Sequence, residues 1–132
     1  LSGYLKLGAN LLESSDNHGE SYNFGPDAIV NKSVEELLQV LATHWQKVKW
    51  QVLPNELTQV EHGLLKLCCD KALAKLEWQP TLSFDQTVEF TASWYRQFYD
   101  QTETIKEFTL QQINHYEQIA IKRELEWVSL QQ

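Results

Sequence analysis

The sequence predicts an α+β fold that is mostly helical, with two or three short strands. Three observations lead there. Several stretches repeat apolar residues at i, i+3, i+4 and i+7, the spacing of one helix face. Three Ser/Thr-x-x-Glu/Gln tetrapeptides read as capping boxes, in which each side chain satisfies a backbone N–H that a helix start leaves free. Short runs between them alternate polar and apolar residues with the period of a strand. So few strands make a poor independent sheet; they suit a sheet supplied by another part of a larger protein.

The elements follow in order. Leu1, Tyr4, Leu5, Gly8, Leu11 and Leu12 keep helical spacing from the first position, so a helix runs to about Leu12. Glu13 to Gly19 is a polar loop. Ser21 to Phe24 alternates as a strand with Tyr22 and Phe24 on one face, stopped by Gly25-Pro26-Asp27. Ser33 and Glu36 frame a capping box, and Val34, Leu37, Leu38, Leu41, Ala42 and Trp45 form one stripe behind it. Val48, Trp50 and Val52 suggest a second strand, broken at Pro54-Asn55, and Leu65 and Leu67 a third. Cys69, Ala72, Leu73 and Leu76 have the spacing of a short helix, ended by Trp78-Gln79-Pro80. Ser83 and Gln86 cap a longer helix that carries Phe84, Val88, Thr91, Tyr95, Phe98 and Tyr99, its apolar face widened by Phe90 and Trp94. Thr109 and Gln112 form a third box, with Phe108 and Ile113 as its apolar staple. The last helix runs to about Trp127.

Length and composition bound the function. The 132 residues amount to one domain, and a hydrophobic share of 42% is that of a globular chain. The chain has no Met and starts at Leu1, already inside a helical pattern, which reads as truncation more simply than as secretory processing. The net charge of −7 argues against nucleic-acid and anionic-membrane partners. No apolar run is long enough to span a bilayer. Cys68 and Cys69 are sequence neighbours, only ~3.8 Å apart at Cα, below the range that suits a disulfide. A reducing, cytoplasmic setting is the expectation.

Taken together and in this order, the pieces resemble the tail of an extended short-chain dehydrogenase/reductase, of the NAD-dependent epimerase/dehydratase family. Gly19 to Pro26 is similar to a strand and turn of that family, and Ser33-Val34-Glu35-Glu36-Leu37 to the helix start after it. Leu64-Leu65-Lys66-Leu67, Asp70-Lys71-Ala72 and Leu76-Glu77-Trp78-Gln79-Pro80 resemble its later strand, helix and turn. Thr91-Ala92-Ser93-Trp94-Tyr95 resembles its closing helix. Leu1-Ser2-Gly3-Tyr4-Leu5, the Leu64 to Leu67 run and the Phe108 to Ile113 extension are most similar to the CDP-glucose 4,6-dehydratase branch. There are departures. Glu77 stands where the family has Gly, Val60-Glu61-His62 where it has His-Glu-Ala, and Cys68 where Asp is common.

The resemblance implies the C-terminal substrate-binding lobe of an extended Rossmann-fold enzyme, as one truncated domain over residues 1–132 with a helical extension over 103–132 and the Rossmann domain itself missing. The intact enzyme is then expected to be a homodimer that converts CDP-glucose to its 4-keto-6-deoxy product with a tightly held NAD, for deoxysugar and surface-polysaccharide synthesis. This chain is expected to bind no NAD. Its glycines at 3, 8, 19, 25 and 63 make no Gly-rich phosphate turn, and no Tyr is followed four residues later by the Lys of a Tyr-x-x-x-Lys pair. No catalytic residue is therefore assigned, and the chain alone is expected to be inactive.

A share of the nucleotide-sugar pocket remains. By the resemblance, Glu61 accepts hydrogen bonds from the ribose hydroxyls, His62 beside it is a phosphate contact, and Tyr4 lines the pocket. The plain alternatives are a solvated loop carboxylate, an exposed loop histidine and a core tyrosine. Trp78 and Trp94 are expected in the core or at a lobe interface. Cys68, Cys69, His44 and His115 lack metal-ligand spacing, so no metal is expected. The rival reading is a self-standing helical module that binds a protein through Leu110, Ile113, Tyr116, Ala120 and Trp127. A degenerate gene remnant is a third.

Overall fold

Leu1 has no side-chain oxygen to cap a helix, yet the backbone turns at once into α1, Ser2–Glu13. The computed structural model of the chain describes residues 1–51 and 67–129. Two glycines of α1 have opposite surroundings. Gly3 is buried, and a Cβ there would overlap the ring of Phe24; nothing lies near a Cβ built on Gly8. The helix thus turns Gly3 and Leu7 toward the protein and leaves Leu1, Tyr4, Leu5 and Leu12 exposed. The apolar stripe legible in the sequence faces outward along most of its length.

Phe24 meets α1 from the segment Ser21–Phe24, which forms no strand among the described residues. Tyr22 and Phe24 do share one side, their rings stacked 6.4 Å apart, as the alternation implied. The strand itself is a correction, because extended backbone becomes a strand only when a neighbour completes its hydrogen-bond ladder. Val48–Gln51 is likewise not a strand, with Val52 outside the described residues; the third predicted strand lies outside them except for Leu67. Among the described residues there is no strand; the mostly helical part of the predicted α+β class is present and its β part is not.

The short helix α3 spans Asp70–Leu76 and buries Ala72 and Leu76. It ends because Glu77 takes a left-handed conformation, φ 51°. This is the position where the family has Gly, and a side chain in that region costs on the order of 1 kcal/mol. The turn brings the Trp78 N–H back to the Ala72 carbonyl at 3.2 Å and swings the indole inward. Trp78 is 6% exposed, meets Phe24 edge to face at 4.9 Å, and donates from Nε1 to Ser2 Oγ at 3.1 Å.

The remaining helices form a second group. Helix α2 covers Val34–His44 and α4 covers Phe84–Asp100; both start in the predicted capping boxes, at Ser33/Glu36 and Ser83/Gln86. Helix α4 is central, with α2 on one side and α5, Ile105–Lys122, on the other. It buries Val88 and Ala92. Arg96 Nη1 donates to the His44 carbonyl at 3.1 Å, placing a cation at the negative end of α2. Lys47 pairs with Asp100 at 2.6 Å.

The third capping box is overturned. A 3-10 turn, Thr102–Thr104, leads straight into α5, so the helix starts four residues before Thr109. Thr109 and Gln112 instead join two helices. Thr109 Oγ1 donates to the Ile105 carbonyl at 2.7 Å and accepts from Trp94 Nε1 at 2.9 Å. Gln112 Nε2 donates to the Phe90 carbonyl at 2.9 Å and to Ser93 Oγ at 3.0 Å.

The last helix is also shorter than predicted. Glu124 is left-handed, φ 53°, and the N–H groups of Glu124 and Leu125 return to the carbonyls of Ile121 and Ala120. That double closure is a Schellman stop, usually signalled by Gly. A short α6, Glu126–Ser129, follows, with Trp127 stacked on Tyr116 at 6.0 Å. Arg123 ties this end to the first group, donating from Nη1 to the carbonyls of Pro80 at 2.9 Å and Thr81 at 2.6 Å.

The two α1 glycines give an opposed pair of outcomes. Gly3→Ala should lower stability by about 1–3 kcal/mol, because Phe24 must move. Gly8→Ala should raise it by about 0.5–1 kcal/mol, because helix-interior glycine is costly and the site is open. Urea unfolding of the two variants checks both signs.

Candidate functional site

A cleft of about 370 Å³ opens where three segments meet: Pro26–Ala28, Leu67–Asp70 and Trp78–Pro80, with Leu73 of α3 at its side. Each segment is placed by a feature already described. The Phe24–Trp78 contact sets the first against the third, and the left-handed Glu77 aims Trp78 into the floor. The second segment is held to the first by Asn23 Nδ2, which donates to the Cys68 carbonyl at 3.3 Å.

The lining is largely apolar, with two carboxylates, Asp27 and Asp70, and two free thiols, Cys68 and Cys69. Asp27 is held by its own turn, its Oδ1 accepting from the Ile29 N–H at 3.2 Å. Ionised carboxylates accept hydrogen bonds and donate none. The described lining therefore offers acceptors to hydroxyl-bearing groups.

The three pocket residues expected from the sequence fare differently. Glu61 and His62 lie outside the described residues. Tyr4 is 67% exposed on α1, its ring edge-on to Phe24 at 5.4 Å, and is not among the residues lining the cleft. Trp78 and Trp94 do sit in the core and between helices, as expected. Asp27 and Asp70 escaped the sequence reading, because an Asp after Pro and an Asp before a helix carry ordinary turn and capping meanings.

A second feature also escaped it. Glu77 and Glu126 face one another across a smaller cleft that Arg123, Glu124 and Leu125 also line. Lys6 reaches Glu126 at 3.4 Å. The Glu77 carboxyl is raised above the ordinary glutamate value by its hydrogen bond with Glu126, then by that neighbour's charge and by loss of water. Glu126 is lowered by the same hydrogen bond, helped by Lys6 against desolvation. Of the two carboxyls, Glu77 is thus the one that takes up a proton first as pH falls.

Glu36 and Gln86 accept from the N-cap N–H groups of Ser33 and Ser83 at 2.8 and 2.9 Å, closing the starts of α2 and α4. Among the described residues no glycine-rich turn precedes a helix start. Among them no group of three His, Cys, Asp or Glu side chains is placed to hold a metal, and no helix is long and apolar enough to cross a membrane.

Comparison with known proteins adds one relationship. The chain is 30% identical over 96 residues to the CDP-glucose 4,6-dehydratase of Salmonella typhimurium. The match takes in 73% of this chain and 27% of that enzyme, so the chain spans about a quarter of the relative's length. No family model matches the chain, and no solved structure does. The match supports a partial relationship to a dehydratase, and the mostly helical structure fits a helical lobe of such an enzyme.

The carboxyl pair predicts a pH signature. An unfolded Glu77 ionises near pH 4.5, while the folded one holds its proton to higher pH. Stability from this group is full below that value and falls as pH rises through the folded value. Glu126, lowered, acts in the opposite sense, and its contribution is lost on further acidification. Gln at 77 mimics the protonated form. Glu77→Gln should therefore raise the Tm at neutral pH and converge on the parent toward pH 4.5; a difference that does not vary with pH contradicts the coupling of Glu77 to Glu126.

Proposed function

We propose that this chain is the substrate lobe of a nucleotide-sugar 4,6-dehydratase that acts on CDP-glucose. The observation that carries the proposal is the 30% identity sustained over 96 residues with an enzyme of that name. The order of motifs from Leu1 to Ile113 supports it, and so does the cleft beside Leu67.

On this reading the intact enzyme is a lyase. It carries a Rossmann half that binds NAD and a catalytic base, and the present chain contributes to nucleotide-sugar binding. NAD there supplies a reversible hydride sink at the sugar. The residues of this chain bind and orient. Glu61 accepts from the ribose hydroxyls, and His62 stands next to the phosphates. Asp27 and Asp70 add acceptors suited to sugar or ribose hydroxyls, and Trp78 gives their cleft a rigid floor.

The test uses the native polypeptide that carries this sequence. Calorimetric titration with CDP-glucose should give saturable binding, and Glu61→Ala should weaken it by about tenfold, as expected for a lost hydrogen bond to a charged acceptor. Unchanged affinity in Glu61→Ala removes the ribose role. No binding of CDP-glucose by the parent protein removes the functional reading itself.

A further inference from the structure

Cys68 and Cys69 are free thiols, the first exposed and the second half-buried, and both residues line the cleft of about 370 Å³. The nucleotide-sugar role uses neither. Their backbone is held on both sides: Asn23 Nδ2 donates to the Cys68 carbonyl at 3.3 Å, and the Leu73 N–H to the Cys69 carbonyl at 3.0 Å. Gly25 flanks the second thiol. A Cβ built there would lie 3.5 Å from the Cys69 sulfur, so the glycine leaves that side clear. The sulfur's own contact is weak, a 3.9 Å approach to the Leu67 carbonyl.

Thiols on adjacent residues favour some partners over others. A direct disulfide is disfavoured, because neighbouring Cα atoms lie only ~3.8 Å apart, below the usual bridging span. A structural zinc takes four ligands, and among the described residues no group of three His, Cys, Asp or Glu side chains is placed to hold a metal. A trivalent arsenic that already carries one carbon group needs two further bonds, and soft centres prefer sulfur. Set between the sulfurs, it relieves the short span that a disulfide would have to close directly. The walls beside the pair suit the carbon group, for Leu67, Leu73, Trp78 and Pro80 are apolar.

We propose that Cys68 and Cys69 form a vicinal-dithiol site that takes a monoaryl trivalent arsenical, with the aryl ring in the apolar part of the cleft. Phenylarsine oxide is the simplest such ligand. Two arsenic–sulfur bonds form as two S–H bonds and the arsenic–oxygen double bond break, and both protons leave with the oxygen as one water. Arsenic stays trivalent, so no oxidant or reductant takes part. The site stands apart from the dehydratase assignment, and its failure would leave that assignment untouched.

The experiment treats the native polypeptide with phenylarsine oxide in excess 2-mercaptoethanol. That monothiol strips arsenic held by one cysteine. A pair retains it, because the second bond re-forms within the molecule at high effective concentration. Intact mass spectrometry counts the adducts. The expected result is one adduct more on the parent than on Cys68→Ser or on Cys69→Ser, its mass that of the arsenical less one water. The competing dithiol 2,3-dimercaptopropanol should remove it. Cys68 is exposed, so its change to Ser leaves the fold in place. A parent that carries no adduct under these conditions, or an equal adduct count on the parent and either variant, overturns the proposal.

Discussion

The ring of Phe24 lies between Gly3 of α1 and the indole of Trp78, and most of the first half of the structure is organised by that contact. It fixes α1 against the end of α3. It also explains why position 3 lacks a side chain and why a segment that forms no strand among the described residues still has a definite place. Trp78 depends in turn on the left-handed Glu77, which reverses the chain beneath Ala72 and Leu76. The same reversal builds the floor of the cleft. Packing and candidate site therefore share one set of constraints: a change at Gly3, Phe24, Glu77 or Trp78 reaches both.

The second half is held differently. Around α4 the buried side chains are small, Val88 and Ala92, and much of the aromatic surface remains open. Specificity between α4 and α5 comes from polar side chains that satisfy one another, Trp94 with Thr109 and Gln112 with Phe90 and Ser93. Such partly buried hydrogen bonds gain little net energy, but leaving one unmade is costly, so they fix the register of the helices. The two halves are joined by Arg123 at the carbonyls of Pro80 and Thr81 and by the Lys6–Glu126 pair.

Local signals were legible where one residue determines the structure by itself. Ser33 with Glu36 and Ser83 with Gln86 marked helix starts because capping is a contact within four residues. The same pattern at Thr109 and Gln112 misled, because those side chains found partners across the helix pair and α5 was nucleated earlier by a 3-10 turn. The stop at Glu124 carried no signal, since the residue is neither Gly nor Asn. Strands were overread for a different reason: alternation at Ser21–Phe24 reports which side chains share a face, and a ladder also needs a neighbour that the sequence pattern does not identify. For α1 the stripe was legible and its direction was not, because periodicity is blind to which face meets the chain's own core. Of the site, Glu61 and His62 lie outside the described residues, whereas Asp27, Asp70 and the Glu77–Glu126 pair emerged only when distant segments came together.

The central claim is that this chain belongs to an enzyme that dehydrates CDP-glucose. The most direct measurement is mass spectrometry of CDP-glucose after incubation with the native polypeptide and NAD. The account predicts a nucleotide sugar lighter by one water molecule, formed without net consumption of NAD. Unchanged CDP-glucose, from native protein that is folded and carries NAD, would contradict it.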